Sequence, residues 1–210
     1  MVWIHGGAFT TGDASTYADP SPLVSRGVIV VTVQYRLGAM GFLAHPALRD
    51  AGGSAGNYGI MDQQAALKWV RANISRFGGD ARNVTIFGES AGGFSVLTHL
   101  ASPLSKGLFD KAIIQSGAYG VDGQKTQAAM EAVSAAALAS AMSGQDAGPA
   151  CAKDPASAAC LRSLPDGLVR SRLMSAFGKG VGNLVPSVDG RVLPATVKDI
   201  FAAGRNNRVP

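Results

Sequence analysis

An apolar stretch, Val84-Thr85-Ile86-Phe87, runs without a break into Gly88-Glu89-Ser90-Ala91-Gly92-Gly93 and then into the helix-forming stretch Phe94 to Leu100. Such a chain must turn from a buried strand into a helix within a few residues, with Ser90 at the turn. The G-x-S-x-G spacing makes the turn feasible. Glycines on either side let strand and helix approach closely, and the serine is held in a strained conformation with its hydroxyl at the open end of the strand. With 27 glycines in 210 residues the pattern alone says little, so the flanking strand and helix carry the reading. Ser90 is the candidate nucleophile.

Three further segments are rich in β-branched residues: Val2 to Ile4, Val28 to Val33 and Lys111 to Gln115. The first two of these and Val84 to Phe87 read as buried parallel strands, because their apolar residues run continuously instead of alternating. A helix is predicted from about Ile60 to Phe77, its core-facing stripe Leu67, Val70, Ile74 and Phe77 spaced three and four apart and its end marked by Gly78-Gly79. Strands alternating with helices predict an α/β fold, a mainly parallel sheet flanked by helices. After Gly117 the composition shifts. Gln124 to Ser143 is alanine-rich and reads as a helical insertion over one end of the sheet, Gly144 to Pro165 reads as loop, and Gly178 to Pro194 is rich in glycine and proline. A single domain is expected, with a nucleophile-bearing core at 1–120, an insertion at 121–180 and a return segment at 181–210.

Composition narrows the function class. Nineteen Lys and Arg against 14 Asp and Glu give a net charge of +5, but they are scattered, with no basic run interleaved with aromatics, so nucleic-acid binding is not expected. No segment is long and apolar enough for a membrane span. The opening Met-Val-Trp-Ile-His-Gly-Gly has no basic leader or cleavage site and reads as the inside of a strand, not a signal peptide. Cys151 and Cys160 have a spacing that suits a small disulfide and neither a zinc site nor a C-x-x-C redox motif. A disulfide would imply an oxidising compartment.

Acyl transfer needs a nucleophile, a base, a group that orients the base, and donors for the oxyanion. His5-Gly6-Gly7-Ala8-Phe9 follows the first strand, and its glycines let backbone N–H groups face a site without side-chain obstruction. With the N–H of Ala91 this loop would form an oxyanion hole, each donor contributing about 3 kcal/mol to the transition state. No metal or organic cofactor is needed. The base is harder to place. In strand-turn-helix serine hydrolases the acid and then the histidine follow the serine. Here only His99 follows Ser90, with no acidic residue between them, and it would sit roughly 13 Å along the helix on the opposite face. His99 is expected on the helix surface, His45 beside Pro46 in an exposed loop, and His5 in a structural role, with a Ser90–His5 dyad as the alternative. Glu89 is expected to make a supporting hydrogen bond or ion pair.

Several blocks taken together resemble the type-B carboxylesterase family, which includes bacterial para-nitrobenzyl-type esterases and the cholinesterases. They are Val2 to Phe9, Val33-Gln34-Tyr35-Arg36-Leu37-Gly38 with Gly41-Phe42-Leu43, Gly56-Asn57-Tyr58-Gly59 with Asp62-Gln63, Phe77-Gly78-Gly79-Asp80, Phe87 to Gly93, and Gln115-Ser116-Gly117. The resemblance implies an α/β-hydrolase fold, incomplete at both ends, and a small-molecule carboxylic ester substrate. It implies Ser90 as nucleophile, Gly7, Ala8 and Ala91 as oxyanion donors, and Gly6 as the residue that shapes their loop. It also implies a short disulfide loop between Cys151 and Cys160. Relatives carry their triad acid and histidine in sequence beyond the equivalent of Pro210, so the chain is expected to be an internal fragment of a longer, secreted or periplasmic parent. Unpaired sheet edges would then favour self-association. A catalytically silent hydrolase-like module used for binding is the competing expectation.

Overall fold

Apolar runs such as Val2–Ile4 and Thr85–Glu89 need cover on both faces, which a parallel sheet between helices provides. The computed structural model describes residues 1–17, 19–145, 147–177 and 183–210. Its sheet has strands β1 (Val2–Ile4), β2 (Val31–Val33), β3 (Thr85–Glu89) and β4 (Lys111–Gln115) in the order β2-β1-β3-β4, all parallel. Register places Ile4 between Val33 and Gly88, and Glu89 opposite Gln115, so the ends of β1, β3 and β4 come together where Ser90 follows. The helices are α1 (Ser21–Val24), α2 (Gly38–Phe42), α3 (Tyr58–Asn73), α4 (Ala91–Ala101), α5 (Gln127–Met142), α6 (Pro149–Lys153), α7 (Ala158–Ser163), α8 (Met174–Ala176) and α9 (Val197–Ala202).

Every residue of α4 is buried. A helix apolar all round belongs inside a core, and Phe94, Val96 and Leu100 of α4 join Ile4 and Ile86 of the sheet and Leu67 of α3 in the main apolar cluster. A smaller cluster packs Leu97 and Ala101 against Leu193, Val197 and Ile200, which seats the return segment on the same helix. Asn57 adds a polar clamp, its amide donating to the Ser187 carbonyl and accepting from the Ser187 N–H at 2.9 and 3.0 Å. The predicted boundary between residues 180 and 181, and the first part of the glycine-rich stretch from Gly178, lie outside the described residues.

Five expectations are corrected. The predicted helix to Phe77 ends as an α-helix at Asn73, and Ile74–Phe77 tightens into a 3-10 turn. Three residues per turn instead of 3.6 rotates Phe77 off the stripe, and its ring is 62% exposed, resting on Trp69. β2 begins at Val31 and not at Val28, because β1 offers only three residues to pair with. Within the stretch 144–165, Pro149–Lys153 and Ala158–Ser163 are not loop but the helices α6 and α7, joined by a Cys151–Cys160 disulfide that packs against Ala147. His45 is buried, with Nδ1 accepting from the Ala47 N–H to cap a short turn. Closing a loop this short restricts the unfolded chain enough to contribute about 2–3 kcal/mol. Reduction, or Cys160→Ser, is therefore expected to lower unfolding stability by that amount in urea titrations with and without reductant.

His99 is the largest departure, since it is fully buried within α4 and not at the surface. Its Nε2 donates to Gln63 Oε1 and its Nδ1 accepts from the Ser105 hydroxyl, both at 2.9 Å. The Gln63 amide donates onward to Ser95, and Asn207 donates to the carbonyls of His99 and Ser102. Burial pushes the His99 pKa down to about 3. Above pH 6.5 the imidazole is neutral whether the chain is folded or unfolded, so it costs nothing. Below that pH the unfolded chain takes up a proton that the native state refuses, and stability falls by up to about 1.4 kcal/mol per pH unit until about pH 3. Between pH 6.5 and 5 this one residue is expected to remove about 2 kcal/mol. Between pH 6.5 and 5 the wild type should lose about 2 kcal/mol more stability than His99→Gln, and equal losses would refute the assignment.

Candidate active site

Ser90 has φ 56° and ψ −121°, a region that costs a non-glycine residue about 1–3 kcal/mol and persists only where the surroundings impose it. They do so here. The Ser90 N–H donates to the Gln115 carbonyl and the Ser90 carbonyl accepts from the Phe94 N–H, both at 2.9 Å. The glycines around it mark backbone contacts. A Cβ on Gly92 would lie 2.0 Å from the Ile4 carbonyl oxygen, and one on Gly93 would lie 2.6 Å from that of Gln115. α4 thus starts pressed against the ends of β1 and β4, and no side chain other than hydrogen fits between. The sharp turn at Ser90 follows.

The loop after β1 meets the same turn. A Cβ on Gly6 would lie 2.7 Å from the Glu89 carbonyl oxygen and 3.2 Å from Ser90 Cβ. Gly7, Ala8 and Phe9 all have positive φ, at 103°, 55° and 60°. The Gly7 carbonyl accepts from the N–H groups of Thr10 and Thr11 at 3.0 Å each. The N–H groups of Gly7 and Ala8 have no acceptor among the described residues. Phe9 holds the strained loop in place, its fully buried ring edge-on to Phe42 and Phe94 and its carbonyl accepting from the Gly38 N–H at 2.7 Å. Ala91, the first residue of α4, has an N–H that no helical carbonyl can reach, at the positive end of the helix.

Tyr119 is the neighbour that sequence reasoning missed. Its ring stacks on Phe94 at 5.4 Å, which brings its phenol close to the Ser90 side chain. Burial raises its phenol pKa, while the nearby Ser90 side chain lowers it and the Glu89 charge raises it, both to smaller extents. Only its position shortly after the Gln115-Ser116-Gly117 block hinted at a place near the turn.

His5 is buried, stacked on Tyr35 at 4.4 Å, with Nδ1 2.8 Å from the Gly6 carbonyl oxygen. Nε2 has no partner among the described residues. Burial is the main cause that lowers its pKa, against smaller raising effects of the Gly6 carbonyl and Asp13. Its nitrogens hold the loop or lie idle in the core. Of the three histidines, none hydrogen-bonds Ser90 among the described residues. Glu89 also departs from expectation: it is exposed, its side chain has no hydrogen bond or ion pair among the described residues, and it lines an open cavity of about 540 Å³ with Trp3, Gly6, Gly7, Tyr17 and Asp19. No group of three or more His, Cys, Asp or Glu gathers among the described residues, and no described helix is long and apolar enough to cross a membrane.

Comparison with known proteins places this geometry. The model of the carboxylesterase family matches residues 1–210. Over 120 residues the chain is 58% identical to the para-nitrobenzyl esterase of Bacillus subtilis (strain 168), which covers 56% of this chain and 24% of that protein. It is 51% identical over 119 residues to the fumonisin B1 esterase of Sphingopyxis macrogoltabida, covering 55% and 22%. The crystal structure of a Geobacillus stearothermophilus carboxylesterase superposes with a TM-score of 0.81 at 39% identity, over 97% of this chain and 42% of that one. The chain therefore spans about a quarter of those curated relatives and less than half of the solved one. The parallel sheet between helices is that of an α/β-hydrolase, and the chain belongs to the carboxylesterase family.

Proposed function

We propose that these residues form the nucleophile-bearing part of a serine hydrolase acting on small carboxylic esters. Ser90 Oγ attacks the ester carbonyl carbon, the alcohol leaves, and water releases the acid from the acyl-enzyme. The N–H groups of Gly7, Ala8 and Ala91 receive the negative charge on the carbonyl oxygen, and Gly6 keeps their loop against the turn. Tyr119 orients the Ser90 hydroxyl. The observation that supports this reading most is the positive φ of Ser90, imposed by Gly92 and Gly93 beside a second strained loop with idle N–H groups. The base and its orienting acid lie in sequence outside residues 1–210 on this reading. In its support, no histidine reaches Ser90 among the described residues, and the known relatives are far longer. His5 is buried against Tyr35 and neither of its ring nitrogens hydrogen-bonds Ser90, which speaks against a Ser90–His5 dyad. The intact serine speaks against a silent binding module. A buried disulfide suits an oxidising compartment, secreted or periplasmic.

Hydrolysis of p-nitrophenyl butyrate tests the reading in two proteins, the 210-residue chain and a protein joining it to the remaining sequence of the Bacillus subtilis relative. The chain alone is expected to turn over within about twofold of its Ser90→Ala variant, since without a base the hydroxyl is a poor nucleophile. The joined protein is expected to hydrolyse the ester well above both. Serine-dependent turnover by the 210-residue chain would show that a base lies within it or across a contact between copies.

A further inference from the structure

A second cavity lies away from Ser90. It encloses about 420 Å³ between α2, the start of α3, α7 and the turn that precedes α8, and shares no residue with the turn at Ser90 or the Gly6–Ala8 loop. Its apolar lining is Ala39 from α2 and Leu43 just after it, Leu161 from α7 and Leu164 just after it, and Val169 and Leu173 from Leu168–Leu173. That last segment is π-helical. Such a turn wastes hydrogen-bond geometry and is seldom retained except where it shapes a functional site. Here Val169 and Leu173 from this segment line the cavity.

Two of the polar groups at the mouth, Arg36 and Tyr58, are committed. Arg36 is forked onto Asp62 at 2.7 and 2.8 Å, and its guanidinium lies 5.4 Å from the Tyr58 ring centre. The Tyr58 hydroxyl donates to the Leu48 carbonyl at 3.0 Å. Asp166 makes only a loose, exposed ion pair with Arg170 at 3.9 Å and points its charge to solvent. Arg162 is exposed and makes no hydrogen bond or ion pair among the described residues. An apolar cleft of this size with one free guanidinium at its rim matches a molecule with an aliphatic tail and one anionic end. We propose that this cavity binds a medium-chain carboxylate, its tail along Leu164, Val169 and Leu173 and its carboxylate at Arg162. The carboxylate stays at the solvent edge, so no charge is buried unpaired. The Cys151–Cys160 disulfide fixes α7, which supplies Leu161 and Arg162. The proposal does not depend on Ser90 being a nucleophile, and binding is read without hydrolysis.

Calorimetric titration of the 210-residue protein with hexanoate, octanoate and decanoate tests it. One molecule per chain is expected, with affinity rising about fourfold per added methylene as apolar surface is buried. Arg162→Gln, a substitution at an exposed site, should weaken octanoate tenfold or more and leave n-octanol unchanged. As a second readout, Met40→Trp at the exposed mouth should report octanoate by a saturable change in fluorescence. Affinity independent of chain length would indicate ionic contact at the surface and overturn the proposal. So would octanoate binding unaffected by Arg162→Gln, or no binding in the millimolar range.

Discussion

Gly92→Ala is expected to cost at least about 3 kcal/mol, a large fraction of a typical domain's stability. The added methyl would sit 2.0 Å from the Ile4 carbonyl oxygen, and both partners are backbone, so no side chain can swing aside. Either α4 lifts from β1 or the strand bends. In both cases the fully buried helix loses contacts along its length, since its apolar residues join sheet and return segment alike. Gly167→Ala is the control. A methyl there meets nothing within 4 Å and the backbone is already helical, with φ −60° and ψ −36°, so the change should fall within about 0.5 kcal/mol of wild type. Urea unfolding followed by circular dichroism measures both variants. If Gly92→Ala were within 1 kcal/mol of wild type, the close approach at the turn would be wrong.

Ser90→Ala in the joined protein is expected to lower kcat for p-nitrophenyl butyrate by about 10³- to 10⁶-fold, the range seen when the nucleophile of a serine hydrolase is removed. The residual rate would come from the oxyanion donors and binding. Stability should change by less than about 1 kcal/mol, because alanine keeps the same strained backbone and the turn is set by glycines and backbone hydrogen bonds, not by the hydroxyl. A variant that keeps a tenth of the activity would mean that another group attacks the ester.

The parts of the fold legible in the sequence are those whose cause is local. β4 runs from Lys111 to Gln115 as its β-branched cluster indicates, and the strand-turn-helix around Ser90 follows from glycines within four residues of it. Phe77 shows the limit of periodicity. The 3-4-3 spacing continues through Ile74, but whether the last turn stays α-helical depends on Gly78, whose N–H caps Ile74 and Ser75 from a left-handed conformation. His99 and Tyr119 were not legible for a different reason. A histidine in an apolar helix looks like a surface residue until Gln63 and Ser105, 36 and 6 residues away, are brought to its two nitrogens. Tyr119 reaches Ser90 only because β4 lies next to β3 and the chain then doubles back over Phe94. Side chains that satisfy one another across the fold leave no pattern along it.

The role of Ser90 is tested most directly by treating the joined protein with a fluorophosphonate, then digesting it and locating the adduct by mass spectrometry. One phosphonyl group per chain on Ser90 is expected, absent from Ser90→Ala. Stoichiometric modification of any other residue, with Ser90 left free, would contradict its assignment as the nucleophile.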